Sequence, residues 1–94
     1  MAFSVDIRPN AQDFIKQQRS KHQRQIRKKI ETLRDEPRPP NATRLRGEEG
    51  FWRVRTGDFR IVYTVEDEKL LVVVVIAGNR KDIYGKLRRA GLID

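Results

Sequence analysis

The fold of this chain is decided by residues 51–63, which read FWRVRTGDFRIVY. Polar and apolar side chains alternate on both sides of Gly57 and Asp58, and a period of two is typical of strands with one buried face. A Gly-Asp pair between two such strands predicts a two-residue hairpin turn, which sets Arg55 opposite Arg60. One face then carries Trp52, Val54, Phe59, Ile61 and Tyr63, and the other carries Arg53, Arg55 and Arg60 beside Val62 and Thr64.

The segments on the carboxyl side of the hairpin predict a central strand and a weak helix. Residues 70–76 form an unbroken apolar run, which is typical of a strand covered on both faces, and Gly78-Asn79 is expected to end it. Residues 82–90 carry a sparse apolar stripe with Gly85 in the middle, so the helix predicted there should be easily detached.

The segments on the amino side predict one strand and a pair of helices. Residues 3–8 alternate like a strand with one buried face, and Asn10 is placed to cap the first helix. The second helix is expected over residues 21–34, with Ile26, Ile30 and Leu33 on its inner side and basic residues on the others.

These elements predict a single α+β domain spanning residues 1–94. We expect a four-stranded, mainly antiparallel sheet in the order β-α-α-β-β-β-α, with the helical hairpin packed on the apolar face and a short C-terminal helix. That arrangement would leave the arginine-bearing face of the sheet open to solvent.

Composition narrows the possible functions without choosing one. The chain has no cysteine, which excludes disulfides and thiolate chemistry and favours a reducing cytoplasm. No apolar run is long enough to span a membrane. The net charge of +8 favours a polyanionic partner, namely nucleic acid, an anionic membrane face or an acidic protein. The single histidine, His22, lies among polar residues and is expected to be solvated, so histidine catalysis and histidine metal sites are set aside.

The arginine face is the strongest candidate for a functional surface. Like charges opposite one another across two strands repel, so Arg55 facing Arg60 is unfavourable for folding unless a polyanion supplies the counter-charge. Each guanidinium offers a planar fork of donors that matches phosphate oxygens. The alternative interpretation is that Glu48, Glu49 and Asp58 neutralise these arginines in ordinary surface pairs.

Three blocks of this sequence resemble the RelE/ParE toxin superfamily, and most closely its RelE-type messenger-RNA interferases. The blocks are Leu45-Arg46-Gly47, residues 51–63 and residues 78–84, which read GNRKDIY. The resemblance implies a toxin that cuts messenger RNA in the decoding site of the ribosome, without metal or cofactor. The RNA 2′-hydroxyl would attack the adjacent phosphorus in line and leave a 2′,3′-cyclic phosphate.

The resemblance also implies which residues do this work. Arg53, Arg55, Arg60, Arg80 and Tyr84 fall on positions that are catalytic in RelE-type enzymes. The RNA-binding set that follows is Arg44, Arg46, Arg53, Arg55, Arg60, Arg80 and Lys81. The implied partners are messenger RNA, the ribosome and an acidic antitoxin that displaces the C-terminal helix. The free toxin is expected to be a monomer that forms a hetero-oligomer with its antitoxin.

Two departures from the family pattern bear on the mechanism. Arginines stand at 53 and 55 where the best-known member has lysines, and a guanidinium with a pKa above about 12 is a poor general base. Asn79 stands where many relatives have a histidine. Tyr84 is then the remaining candidate for proton removal, and it would need the surrounding arginines to favour its phenolate.

Two other functions remain open at this point. A ParE-like inhibitor of DNA gyrase has the same fold, although that branch generally lacks the full set of arginines and tyrosine found here. A non-catalytic module that binds RNA or an acidic protein is also compatible with the arginines at 53 and 55.

Overall fold

The computed structural model describes residues 2–45 and 50–93 of the chain. Arg46, one of the expected RNA-binding residues, and Glu48 and Glu49, the two proposed counter-charges, lie outside these ranges. In chain order the elements are β1 (Ser4–Ile7), α1 (Pro9–Lys16), α2 (Ser20–Thr32), β2 (Thr43–Arg44), β3 (Phe51–Thr56), β4 (Phe59–Glu66), a 3₁₀ turn (Asp67–Lys69), β5 (Leu71–Asn79) and α3 (Ile83–Arg89).

Within the described residues the strands form one mixed five-stranded sheet in the order β1-β5-β4-β3-β2. β1 runs parallel to β5, and every other neighbouring pair is antiparallel. The α+β class is therefore confirmed, but the predicted count of four strands is wrong because β2 is an additional edge strand. Two residues, Thr43 and Arg44, are too short a stretch to show an alternating pattern, so sequence periodicity could not reveal it.

The β3–β4 hairpin has the predicted register. Arg55 is paired with Arg60, Arg53 with Val62 and Trp52 with Tyr63 across the two strands. Gly57 has a φ of +59°, a left-handed conformation that glycine adopts without steric cost. A Cβ at this position would also lie 2.6 Å from the side-chain nitrogen of Gln25, but that flexible side chain can move aside, so it is the turn conformation that favours glycine.

The larger core lies between the sheet and the helical hairpin, as predicted. Val54, Ile61 and Tyr63 on the sheet are fully buried or nearly so against residues of α1 and α2. The helical members of this core are Ala11, Ile15, Ile26 and Ile30, together with Leu33 just after α2.

Two local expectations about this helical layer are wrong. Asn10 does not cap α1, because the helix begins one residue earlier at Pro9, whose missing N–H removes one of the donors that a cap would satisfy. His22 is half-buried rather than solvated, because its ring packs edge-on against Phe59 with the ring centroids 5.1 Å apart.

A second, smaller core covers part of the face that was expected to be open. Val62 and Ile76 on the sheet pack against Ile83 and Leu87 of α3, and all four are buried. Val62 shares the arginine face, and an apolar central strand needs cover on both sides, so α3 is held there by the hydrophobic effect. The expectation of a wholly open face is therefore wrong, and the exposed part is confined to the arginine-bearing end.

Strand β5 supplies both cores because of an irregularity opposite Val62 and Tyr63. Val62 pairs with Ile76 whereas Tyr63 pairs with Val74, which leaves Val75 as an extra residue in β5. Such a bulge re-aims the side chains that follow it. The strand also runs on through Gly78 to Asn79 instead of ending before that pair, so it extends alongside the whole hairpin.

Candidate functional site

Three of the predicted arginines project from neighbouring positions on the same face of β3 and β4. Arg55 lies directly opposite Arg60, and Arg53 lies two residues from Arg55 along β3. Arg55 is exposed, while Arg53 and Arg60 are half-buried. The ion pairs among residues 2–45 and 50–93 involve none of these three, and Asp58 does not neutralise them. The surface is thus a cluster of positive charge that no carboxylate of the described residues pairs with.

Tyr84 is brought to this cluster by the first turn of α3. Its ring is 41% exposed, which makes it an accessible aromatic surface beside the arginines. Arg53 donates a hydrogen bond from Nη1 to the Tyr84 hydroxyl oxygen, and its guanidinium carbon lies 5.9 Å from the centre of the ring. Burial of Ile83 and Leu87 holds the helix on the sheet and so sets the position of this tyrosine.

Arg60 is held against its own hairpin turn. Its Nη1 donates to the carbonyl oxygens of Gly57, at 3.0 Å, and Phe59, at 3.1 Å. A guanidinium has five N–H donors in all, so the remaining ones are available to a ligand. The turn contacts restrict the rotamers of Arg60, which reduces the entropy lost when it binds an anion.

Arg80 reaches the same end of the sheet from the segment after β5. Its backbone N–H donates to the carbonyl of Asp58 at 2.7 Å, which ties the end of β5 to the hairpin turn. Its side chain is exposed and makes no ion pair with a carboxylate of the described residues. Arg80 and Lys81 line a cleft of about 320 Å³ whose other walls are Asp58, Asn79 and Asp82.

A second cleft lies at the β2 edge of the cluster. It has a volume of about 330 Å³ and is lined by Arg53 and Arg55 together with Asn41 and Thr43. Thr43 is paired with Arg53 across β2 and β3. Asn41 and Thr43 were not anticipated as site residues, because their place beside the arginines depends on β2, which has no visible sequence signal.

Arg44 is separated from the other predicted RNA-binding residues. It is paired with Trp52, and directly opposed residues point to the same face of a sheet. Its guanidinium carbon lies 5.8 Å from the centre of the Trp52 ring, and Arg38 approaches the same ring at 5.7 Å. Arg44 is therefore on the helical-hairpin side of the sheet, so the structure does not bring it to the arginine cluster.

Lys86 fixes α3 from the side and was not anticipated from the sequence. Its Nζ donates to the carbonyl of Ala77 at 3.2 Å and lies 4.2 Å from the centre of the Phe14 ring. Ala77 lies beyond the residues of β5 that pair with β1, so the lysine crosses a free strand edge and links α3 to α1. Burial lowers the pKa of Lys86, and the nearby charge of Asp82 partly opposes that change.

The described part of the chain offers neither a metal site nor a membrane-spanning helix. Residues 2–45 and 50–93 contain no group of three or more histidine, cysteine, aspartate or glutamate side chains arranged to hold a metal ion. Over the same residues no helix has the length and apolarity needed to cross a membrane.

The fold and the basic face together define a class of small bacterial and archaeal toxins. A family model described as "ParE toxin of type II toxin-antitoxin system, parDE" matches residues 5–84. The chain therefore belongs to the RelE/ParE toxin superfamily, through the ParE toxin family of type II toxin-antitoxin systems, and the resemblance seen in the sequence is confirmed.

Individual relatives within that class have RelE names. A putative RelE-like toxin protein of Escherichia coli is 34% identical over 88 residues, which cover 89% of this chain and 92% of the relative. The mRNA interferase toxin RelE of Escherichia coli K12 is 31% identical over 90 residues, which cover 92% of this chain and 94% of that protein. Among solved structures, the crystal structure of the intact Escherichia coli RelBE toxin-antitoxin complex contains a chain that matches with a TM-score of 0.72 and 28% identity, covering 83% of this chain and 96% of the other.

Proposed function

We propose that residues 1–94 form one toxin domain that cleaves messenger RNA on the ribosome without a metal cofactor. The observation that carries this proposal is the cluster of Arg53, Arg55, Arg60 and Arg80 with Tyr84 at its side. None of these arginines is neutralised by a carboxylate of the described residues, so the cluster presents its charge to a polyanion. The name of the relative from Escherichia coli K12, an mRNA interferase, supports messenger RNA as the substrate.

The chemistry proposed for this cluster is attack by the RNA 2′-hydroxyl on the adjacent phosphorus. The 2′-hydroxyl gives up its proton as its oxygen bonds to phosphorus, the bond to the 5′ oxygen of the next nucleotide breaks, and that oxygen takes a proton from water. The products are a 2′,3′-cyclic phosphate and a 5′-hydroxyl. Arg60 and Arg80 would bind the non-bridging oxygens and stabilise the extra charge of the pentavalent transition state, since the Arg60 side chain and the Arg80 backbone both contact the hairpin turn. Arg53 and Arg55 would bind the flanking phosphates and so hold the backbone in line.

Tyr84 is the residue that we assign to the 2′-hydroxyl. Arg53 donates a hydrogen bond to the phenolic oxygen, which holds the Tyr84 hydroxyl at the arginine cluster, where we propose that it accepts the proton of the 2′-hydroxyl. A guanidinium itself stays protonated and cannot take this role. The exposed ring could also stack on a base and splay the backbone.

The antitoxin that we propose as partner is an acidic protein encoded beside this chain. Support comes from the solved RelBE complex, whose toxin chain has the same fold. We propose that the free toxin is a cytoplasmic monomer and that the antitoxin displaces α3, which is only seven residues long and has Gly85 inside it. Hydrogen exchange on the free toxin and on the purified complex checks this, since the backbone amides of residues 83–89 should exchange at different rates in the two, and an unaltered α3 would contradict it.

The nuclease activity is tested by incubating the purified protein with translating ribosomes and mapping new 5′-hydroxyl ends on the message. We expect cuts within the decoding site, and we expect Arg60→Ala and Arg80→Ala each to reduce cutting by about a hundredfold or more. Arg80→Ala is the cleaner variant because its side chain makes no hydrogen bond to the described protein, whereas Arg60 supports its turn.

A matched control for these variants is Arg24→Ala, which removes an exposed arginine from the opposite side of the molecule, on α2. It should leave cleavage unchanged, and circular dichroism should show that all three variants are folded. A message that remains intact with the wild-type protein, or cutting by Arg80→Ala at the wild-type rate, would contradict the proposal. Binding to RNA without cutting would identify the protein as a non-catalytic RNA-binding module.

Inhibition of DNA gyrase is a second candidate, because the matching family model carries the ParE name. A supercoiling assay separates the two functions. Gyrase inhibition that persists in the Arg60→Ala, Arg80→Ala double variant would favour the ParE-like activity, since that activity does not need the proposed phosphate-binding residues.

A further inference from the structure

The cleft beside Arg80 differs in charge from the arginine cluster that it adjoins. Its five lining residues are Asp58, Asn79, Arg80, Lys81 and Asp82, so two carboxylates balance two cations and an amide lies among them. All five side chains are exposed, and neither carboxylate forms an ion pair with a described residue. A phosphate would be repelled by the two aspartates, whereas an uncharged group with both donors and acceptors would find partners for each.

The walls of this cleft are fixed by backbone hydrogen bonds. The Arg80 N–H donates to the Asp58 carbonyl at 2.7 Å, and the Asp82 N–H donates to the Asn79 carbonyl at 3.0 Å. Asn79 is also paired with Phe59, the first residue of β4. The two segments that carry the carboxylates are thus joined, so the cleft is largely formed before a ligand arrives.

The cleft adjoins the hairpin turn that holds the side chain of Arg60, a proposed phosphate-binding residue. Arg60 donates to the carbonyl of Gly57, and Asp58 follows Gly57 directly in the same turn. Arg80 lines the cleft, and its backbone N–H is bonded to Asp58 in that same turn. A nucleotide whose phosphate contacts Arg60 and Arg80 would therefore place its own base or a neighbouring base at the mouth of the cleft.

We propose that this cleft binds a base next to the cleaved phosphate and that Asp58 and Asp82 select bases with an amino group. This inference rests on the proposed action on RNA and names the specificity of that same site. A carboxylate accepts hydrogen bonds and donates none, so it pairs with the amino groups of cytosine, adenine and guanine. Uracil offers a single N–H between two carbonyl oxygens and has no amino group, so it makes fewer hydrogen bonds with these carboxylates. The cleft has a volume of about 320 Å³, which leaves room for one base with bound water.

The first test is binding, which does not depend on cleavage. Fluorescence anisotropy compares oligocytidylate with oligouridylate of equal length, since the two bases differ mainly in an amino group against a carbonyl oxygen. We expect the wild-type protein to favour oligocytidylate by about tenfold. In the Asp58→Asn, Asp82→Asn double variant the ratio should fall below about twofold, because a carboxamide can donate to the carbonyl of uracil.

The ratio between the two oligonucleotides is the decisive quantity. Removing two negative charges will tighten binding of every RNA, and this uniform effect cancels in the ratio. Glu68→Gln, which removes an exposed carboxylate from the turn between β4 and β5, is the matched control and should keep the wild-type ratio. Equal affinities in the wild-type protein, or an unchanged ratio in the double variant, would overturn the proposal.

The second test maps cleavage sites on translating ribosomes for the same proteins. Wild-type cuts should lie next to amino-bearing bases, and the double variant should have a larger share of its cuts next to uridine. If the wild-type protein cuts nothing while the binding ratio behaves as expected, the base-binding cleft stands and the nuclease proposal fails. If cutting occurs with the same base preference in the double variant, the nuclease stands and the base-binding cleft is overturned.

Discussion

The contact between Arg53 and Tyr84 is the part of the site most sensitive to a single side chain. Arg53 uses one donor on the phenolic oxygen and lies close to the ring, so Arg53 sets the position of the tyrosine. Replacing Arg53 or Tyr84 changes the surroundings proposed for the 2′-hydroxyl. Either replacement keeps Arg60 and Arg80, the two proposed phosphate-binding residues.

Tyr84→Phe distinguishes the two roles open to the tyrosine. The variant keeps the ring and its stacking surface but loses the oxygen that accepts from Arg53. We expect single-turnover cleavage to slow by about a hundredfold, as for loss of a general base, while RNA affinity measured by anisotropy stays within about twofold. Tyr84→Ala should lower both the cleavage rate and the RNA affinity. Wild-type cleavage by Tyr84→Phe would reduce the tyrosine to a stacking group.

The limits of sequence reasoning are visible at single residues. The facing of Arg55 and Arg60 could be predicted because a two-residue turn fixes the register of the whole hairpin. The face of the sheet on which Arg44 lies could not be predicted, because it depends on a pairing with Trp52 that the alternation of residues does not indicate. The hydrogen bond from Lys86 to Ala77 could not be predicted from the sequence either, because it joins two elements that only tertiary packing brings together.

At the level of elements, the short helix α3 determines whether the site is complete. Its seven residues are too few for a stable isolated helix, so packing and side-chain anchors must hold it. Ile83 and Leu87 supply the apolar contacts, and Lys86 supplies a polar one across the strand edge. The sequence indicated a weak helix here but gave no sign that it covers the arginine-bearing side of the sheet.

Lys86→Met should loosen α3 selectively. Methionine keeps most of the apolar stem that lies over Gly78 and Phe14 but cannot donate to the Ala77 carbonyl. Losing one such hydrogen bond costs about 1 kcal/mol, so amide exchange of residues 83–89 should quicken by about fivefold while that of β3 and β4 is unchanged. Lys86→Arg, which can restore a donor, is the control. Uniform quickening across the sheet would mean a general loss of stability instead.

For the molecule as a whole, stability at alkaline pH depends on Tyr63. Its side chain is fully buried, its hydroxyl donates to the Pro37 carbonyl at 2.7 Å, and burial raises its pKa from 10.0 to about 12. A pKa that is higher in the folded state means that the folded protein holds the proton more tightly. The stabilisation is therefore complete below pH 10 and is lost as the pH rises towards 12.

Urea unfolding at pH 8 and pH 11 tests this dependence. Tyr63→Phe should be less stable than wild type at pH 8 by about 1 kcal/mol, because the Pro37 carbonyl loses its donor. The gap between the two proteins should narrow at pH 11, since phenylalanine has no proton to lose. A gap that is equal at both pH values would show that Tyr63 does not titrate in this range.

The parallel pairing of β1 with β5 governs when a newly made chain can become harmful. Ser4 is paired with Leu71, so the first strand finds its place only after most of the polypeptide has been synthesised. Pairings so distant along the chain form late in folding. Completion of the sheet is therefore expected to be a late step of folding, which leaves an interval in which an antitoxin can bind the chain before its candidate site is assembled.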